Sequence, residues 1–203
     1  MKNLKIALLA LFVLTGVNTI KAQDSENMWA LSFGINMVDD ASAGLADPAG
    51  LIKDYLSPFN DSNALPAISR ISVTRFIDNG LSVELAGALN KLSKGANGDL
   101  DDLSFFSLDA NAKYDLNELS FIGETAWFDP YVGFGLGYTS IDGEGNITLN
   151  PTLGFNTWFN ENVGLNFQSS YKSAILGDGI PALVNDVYFH HSIGLIIRFT
   201  DAN

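Results

Sequence analysis

The sequence contains no cysteine. Disulfides and thiolate metal sites are therefore excluded, as is a lipid-modified amino-terminal cysteine. Positive charge is scarce: 11 Lys and Arg stand against 23 Asp and Glu, giving a formal net charge of −12. A chain this acidic repels nucleic acid and anionic surfaces. Past Ala22 no apolar run approaches the roughly 18 residues that identify a transmembrane helix. No Gly-rich phosphate loop, metal-ligand cluster or nucleophile triad is present, so no cofactor, metal site or catalytic site is expected.

The amino terminus carries Lys2 and Lys5, the apolar run Ile6 to Leu14, and a closing Ile-Lys-Ala before Gln23. This order reads as a secretory signal peptide over 1–22, cleaved after Ala22, with one domain over 23–203. The apolar run is too short for a spanning anchor. Cleavage removes Lys2, Lys5 and Lys21 and takes the net charge from −12 to −15.

The remainder alternates. Trp29 to Val38 sets Trp29, Leu31, Phe33, Ile35 and Met37 on one face against Ala30, Ser32, Gly34 and Asn36 on the other. The pattern returns over Ala67 to Ile77, Leu81 to Asn90, Phe105 to Leu116, Trp127 to Ser140, Ile147 to Phe159, Val163 to Lys172 and Val187 to Phe199. Each segment has about the length a tilted strand needs to cross a bilayer. Asp78-Asn79-Gly80 and Asn160-Glu161-Asn162 mark tight turns. Asp39 to Pro66, Lys91 to Ser104 and Ser173 to Asp186 read as long loops, the extracellular ones by the usual asymmetry. Asn117 to Ala126 is long for the opposite rim, and Ile141 to Asn146 is short for the outer one. Leu51, Ile52, Tyr55 and Leu56 have helical spacing within the first loop.

Alternation alone fits a soluble barrel as well as a membrane one. The polar face decides, because it carries Gly, Ser, Asn, Thr and Ala with few charges, which suits a narrow lumen better than bulk water. The apolar face adds aromatics near strand ends, namely Trp29, Tyr114, Phe128, Tyr138, Phe159, Tyr171, Phe189 and Phe199, as expected of interfacial girdles. The reading is all-β, an eight-stranded antiparallel up-and-down transmembrane β-barrel in the outer membrane, with both termini periplasmic.

Four stretches carry a family resemblance: Trp29 to Asp40, Ser72 to Glu84, Trp127 to Gly135 and Phe159 to Leu165. With the closing segment Tyr188 to Phe199 they make the chain similar to the OmpA-like, porin-like outer-membrane β-barrel domain. The resemblance implies insertion by the barrel-assembly machinery, which reads a terminal aromatic matched here by Phe199, four residues short of the end. Larger family members continue into a peptidoglycan-gripping domain. Only Thr200 to Asn203 follow Phe199 here, so peptidoglycan binding is not carried over.

Arg70, Glu84, Asp109, Lys113, Lys172 and Arg198 share the inward face. Glu84 and Lys113 are expected to pair, with Arg198 nearer the periplasmic mouth. Unpaired charges in a low-dielectric lumen cost about 3–5 kcal/mol, so this cluster reads as a satisfied plug or, alternatively, as a gate whose pairs exchange. The His-x-Ser of His190-His191-Ser192 is similar to that of the lipid A deacylase family, but parity turns His190 and Ser192 into the lumen, away from acyl chains. Asp39, Asp40, Asp47, Asp54, Asp61, Asp99, Asp101, Asp102, Asp142 and Glu144 form an anionic outer rim. Gly98-Asp-Leu-Asp-Asp102 lacks the spacing of a known calcium loop. The expected partners are outer-membrane lipid and lipopolysaccharide, which divalent ions could bridge to the rim. The reading is a structural or surface-exposed role with a polar, largely plugged lumen; the alternative is a small pore, and the next a loop-mediated adhesin or ligand-binding barrel.

Overall fold

The computed structural model describes residues 27–41, 43, 47–55, 62–119, 127–176, 179–180, 182–183 and 186–199. The signal peptide expected over 1–22, Leu56, Asp61, the stretch 120–126 and the tail after Phe199 lie outside these residues.

The strands are β1 (Trp29–Asp40), β2 (Ser62–Ala64), β3 (Arg70–Asp78), β4 (Leu81–Gly95), β5 (Gly98–Asp115), β6 (Phe128–Ile141), β7 (Glu144–Leu149), β8 (Thr152–Trp158), β9 (Val163–Ala174) and β10 (Val187–Phe199). A short helix, α1 (Pro48–Tyr55), lies between β1 and β2. All pairings are antiparallel. The last strand closes on the first, with Trp29 opposite Phe199 and Asp40 opposite Tyr188. Closure removes the open edges that an unpaired strand would present.

Among the described residues ten strands fill eight positions. β7 and β8 are one crossing interrupted at Asn150-Pro151, where proline has no N–H to donate. The register runs through unchanged, with Asn150 N–H donating to Gly135 O at 2.9 Å and Tyr171 N–H to Pro151 O at 3.0 Å. Likewise β2 continues β3 along β1, since Gly34 pairs with Arg70 and Met37 with Ala64. Three extra residues bulge from the wall there. Asn36 fills the gap, donating its backbone N–H to Ser69 Oγ at 3.0 Å and its amide to Leu89 O at 2.9 Å.

Burial is inverted relative to a water-soluble sheet. Along β5, Ser107, Asp109, Asn111 and Lys113 are buried while Phe106, Leu108, Ala110 and Ala112 are exposed. Leu85 is 64 % exposed and Phe134 55 %. Alternating strands with polar residues inside and large apolar ones outside belong in a bilayer. Among the described residues no helix is long and apolar enough to cross a membrane; the strands make the crossing.

Two expected loops are shorter than the sequence suggested. Lys91 to Ser104 is mostly sheet, because β4 and β5 continue as a hairpin to Gly95 and Gly98 around Ala96-Asn97. The first loop is also partly strand, at Asp39, Asp40 and β2. The tight turns are clear: Asn79 and Gly80 have φ of 47° and 74°, and Asp142 and Gly143 have 52° and 90°, the mirror-image turns favoured by Asn-Gly and Asp-Gly.

Candidate functional site

The inward faces of β3, β4, β5, β6 and β9 meet at Glu84. Its Oε1 accepts from Arg70 Nη2 at 3.0 Å and from Asn111 Nδ2 at 3.2 Å, and its Oε2 accepts from Lys113 Nζ at 2.5 Å. Lys113 also donates to Gln168 Oε1 at 2.8 Å and stands 4.5 Å from the Tyr131 ring centroid. Gln168 belongs to the far wall, so this network spans the lumen. Glu84 is 2 % exposed, and a carboxylate so enclosed is held by the two cations that flank it.

A second brace lies toward the outer rim. Lys172 Nζ donates to Asp109 Oδ1 at 2.5 Å from β9 to β5, strands that do not neighbour each other. Asn150 Nδ2 also donates to Asp109 Oδ1, at 3.0 Å. Glycine makes the room: a side chain at Gly137 would collide with the Asp109 carboxylate and the Asn150 amide, and one at Gly154 with the Tyr131 ring.

Arg198 binds at the β8–β9 turn. Its guanidinium lies 4.2 Å from the Trp158 ring centroid, and its Nε donates to the Glu161 carbonyl at the periplasmic turn. Trp158 Nε1 donates to Asp129 Oδ2, which fixes the indole from the other side. Beside Glu84 and Lys113 lies a recess of about 40 Å³, bordered by Ser32, Thr74, Asp129 and Asn166, room for a few waters.

Above the second brace the lumen holds an apolar cluster set among buried amides such as Asn63, Asn90 and Asn146. Val38, Leu92, Phe105, Ile141, Ile180 and Tyr188 form a buried cluster, with Leu183 packed against it. Tyr188 closes the layer, its hydroxyl 2.6 Å from Thr139 Oγ1 and its ring edge-on to Phe105. His190 points into the lumen beneath Phe105, and Ser192 lies on the same face. His191 stacks on Phe189 on the outer wall.

Of the aromatic girdle, Trp29, Tyr114, Phe128, Phe159 and Phe199 lie at the end with the tight β3–β4 and β8–β9 turns. Tyr138, Tyr171 and Phe189 lie at the opposite end. Sequence reasoning left out Trp158, Tyr131, Gln168 and Asn111. Trp158 was detectable, since it shares parity with the inward Gly154 and Asn156. Among the described residues no group of three or more acidic or histidine side chains is placed to hold a metal.

The whole arrangement, a closed eight-position barrel with polar inside and apolar outside, has counterparts in solved structures. The outer membrane protein OprG from Pseudomonas aeruginosa superposes with a TM-score of 0.56 at 18 % identity, covering 86 % of this chain and 97 % of that one. The fold is that of the small outer-membrane β-barrels. Neisserial surface protein A superposes at 0.54 with 19 % identity, over 84 % of this barrel and 97 % of its own chain. The amino-terminal barrel domain of Pseudomonas aeruginosa OprF does so at 0.50 with 11 % identity, over 86 % and 98 %. No family model and no curated protein sequence matches this barrel.

Proposed function

We propose that the protein is an integral outer-membrane barrel with a structural or surface-exposed role, its lumen closed to ions. The observation that carries this reading is Glu84, locked between Arg70 and Lys113 while Lys113 reaches Gln168 on the far wall. Two further layers support it: the Lys172–Asp109 brace and the apolar cluster around Phe105 and Tyr188. An ion crossing the lumen must separate buried pairs and then pass an apolar cluster, each step costly in a low-dielectric interior. A barrel of eight strands is about filled by its own side chains.

Planar-bilayer recordings test the reading. The parent chain is expected to be silent, and Lys113→Ala to stay silent because the second brace and the apolar layer remain. Steady conductance in the parent overturns the closed lumen, and a stable rise in Lys113→Ala marks the network as a gate instead.

A further inference from the structure

Phe189 lies on the outward face of β10, yet it is only 7 % exposed, whereas Ile193 on the same face is 37 % exposed. The cover is α1. Leu51 packs against the cluster of Ala41, Val187 and Phe189, and the Tyr55 ring meets Phe189 edge-on at 5.4 Å and His191 at 5.7 Å. α1 therefore lies against the outside of the wall.

Beneath Tyr55 this leaves a groove of about 470 Å³, bordered by Pro151, Leu153, Ser169, Tyr171 and Phe189. Ser169 creates it. On the outward face of β9 it stands between Phe167 and Tyr171, a small residue in a row of large ones, with Leu153 opposite it on β8 and His191 opposite it on β10. We infer that this groove binds one acyl chain of a lipid from the surrounding membrane, roofed by Tyr55.

The position of the groove selects the occupant. Its floor is the outward face of membrane-crossing strands, and Leu153 beside it is 59 % exposed, so the groove opens on hydrocarbon rather than water. Phe189 is ten residues from Phe199 at the periplasmic girdle, about one full crossing. The groove thus sits at the outer interface, where acyl chains meet their polar linkages. Ser169, Tyr55 and Tyr171 bring hydroxyls to a mostly apolar lining, and in that setting an acyl carbonyl is the acceptor available to them. The notch is one small residue wide, which suits a single chain of methylenes better than a protein element.

The test is native mass spectrometry of the full chain refolded into vesicles of phosphatidylethanolamine and phosphatidylglycerol, then extracted in mild detergent. The parent is expected to retain one lipid per barrel. Ser169→Phe, which fills the notch, is expected to lose it, while Leu85→Phe on the opposite wall keeps it. Heat-dependent gel mobility establishes that each variant is folded; should Ser169→Phe fail to insert, Tyr55→Ala, which only unroofs the groove, serves the same comparison. A lipid-free parent, equal retention in the groove variants, or a dimer that the groove variants abolish would each overturn the inference, the last by assigning the groove to a second copy.

Discussion

Lys172 and Asp109 meet across the lumen at 2.5 Å, from strands 63 residues apart in sequence, and both are almost wholly buried. Such a brace holds two walls of the barrel at a fixed separation. Removing one partner strands the other in a low-dielectric interior, so Lys172→Ala is expected to cost about 3–5 kcal/mol, whereas Lys172→Met with Asp109→Leu recovers much of that loss. Urea unfolding in lipid vesicles checks this. A double variant no more stable than Lys172→Ala would show that the pair contributes more than the burial of its own charge.

The exposed pair offers the opposite case. Lys91 and Asp102 also lie close, at 2.7 Å, but their side chains are 53 % and 60 % exposed. Water competes for both groups, and an exposed pair is worth about 0–1 kcal/mol. Lys91→Ala is therefore expected to leave the unfolding midpoint nearly unchanged. A loss as large as that of Lys172→Ala would tie the outer β4–β5 hairpin to the stability of the whole barrel.

The eight crossings were legible because a bilayer outside and a narrow lumen inside impose parity on every strand, as β5 shows from Phe105 to Lys113. The partners across the lumen were not. Lys113 reaches Gln168, and Lys172 reaches Asp109, only after the sheet has curled and closed, and neither meeting leaves a mark in local sequence. Arg198 binds at the β8–β9 turn, and its partner there is Trp158, an aromatic on the polar face that the sequence reading did not single out although its parity marks it. The apolar outer layer was hidden by strand length. Leu92 and Ile141 follow the inward parity of β4 and β6 but lie beyond Asn90 and Ser140, where the alternating segments read from the sequence end.

Glycines on the two faces should respond in opposite directions. A side chain at Gly137 meets the Asp109 carboxylate and the Asn150 amide, whereas one at Gly87 meets nothing within 4 Å. Gly137→Val is expected to destabilise by about 1–3 kcal/mol through overpacking. Gly87→Ala should stabilise by roughly 0.5–1 kcal/mol, since glycine in a strand loses more freedom on folding. Unfolding midpoints of the two variants measure the contrast, and a stable Gly137→Val barrel would mean that the second brace tolerates displacement.

Arg198 tests whether the periplasmic mouth depends on charge alone. Its planar guanidinium lies over the Trp158 ring at 4.2 Å while Nε binds the Glu161 carbonyl. Lysine keeps the charge but cannot stack as a plane or present the same fork, so Arg198→Lys is expected to lose about 0.5–2 kcal/mol. The readout is Trp158 emission in a background carrying Trp29→Phe and Trp127→Phe, which leaves that indole as the sole tryptophan. Arg198→Lys should shift the emission to the red as water gains access to the ring face that the guanidinium now covers. Unchanged emission together with unchanged stability would reduce the contact to an electrostatic one, leaving the Asp129 hydrogen bond to hold Trp158 in place.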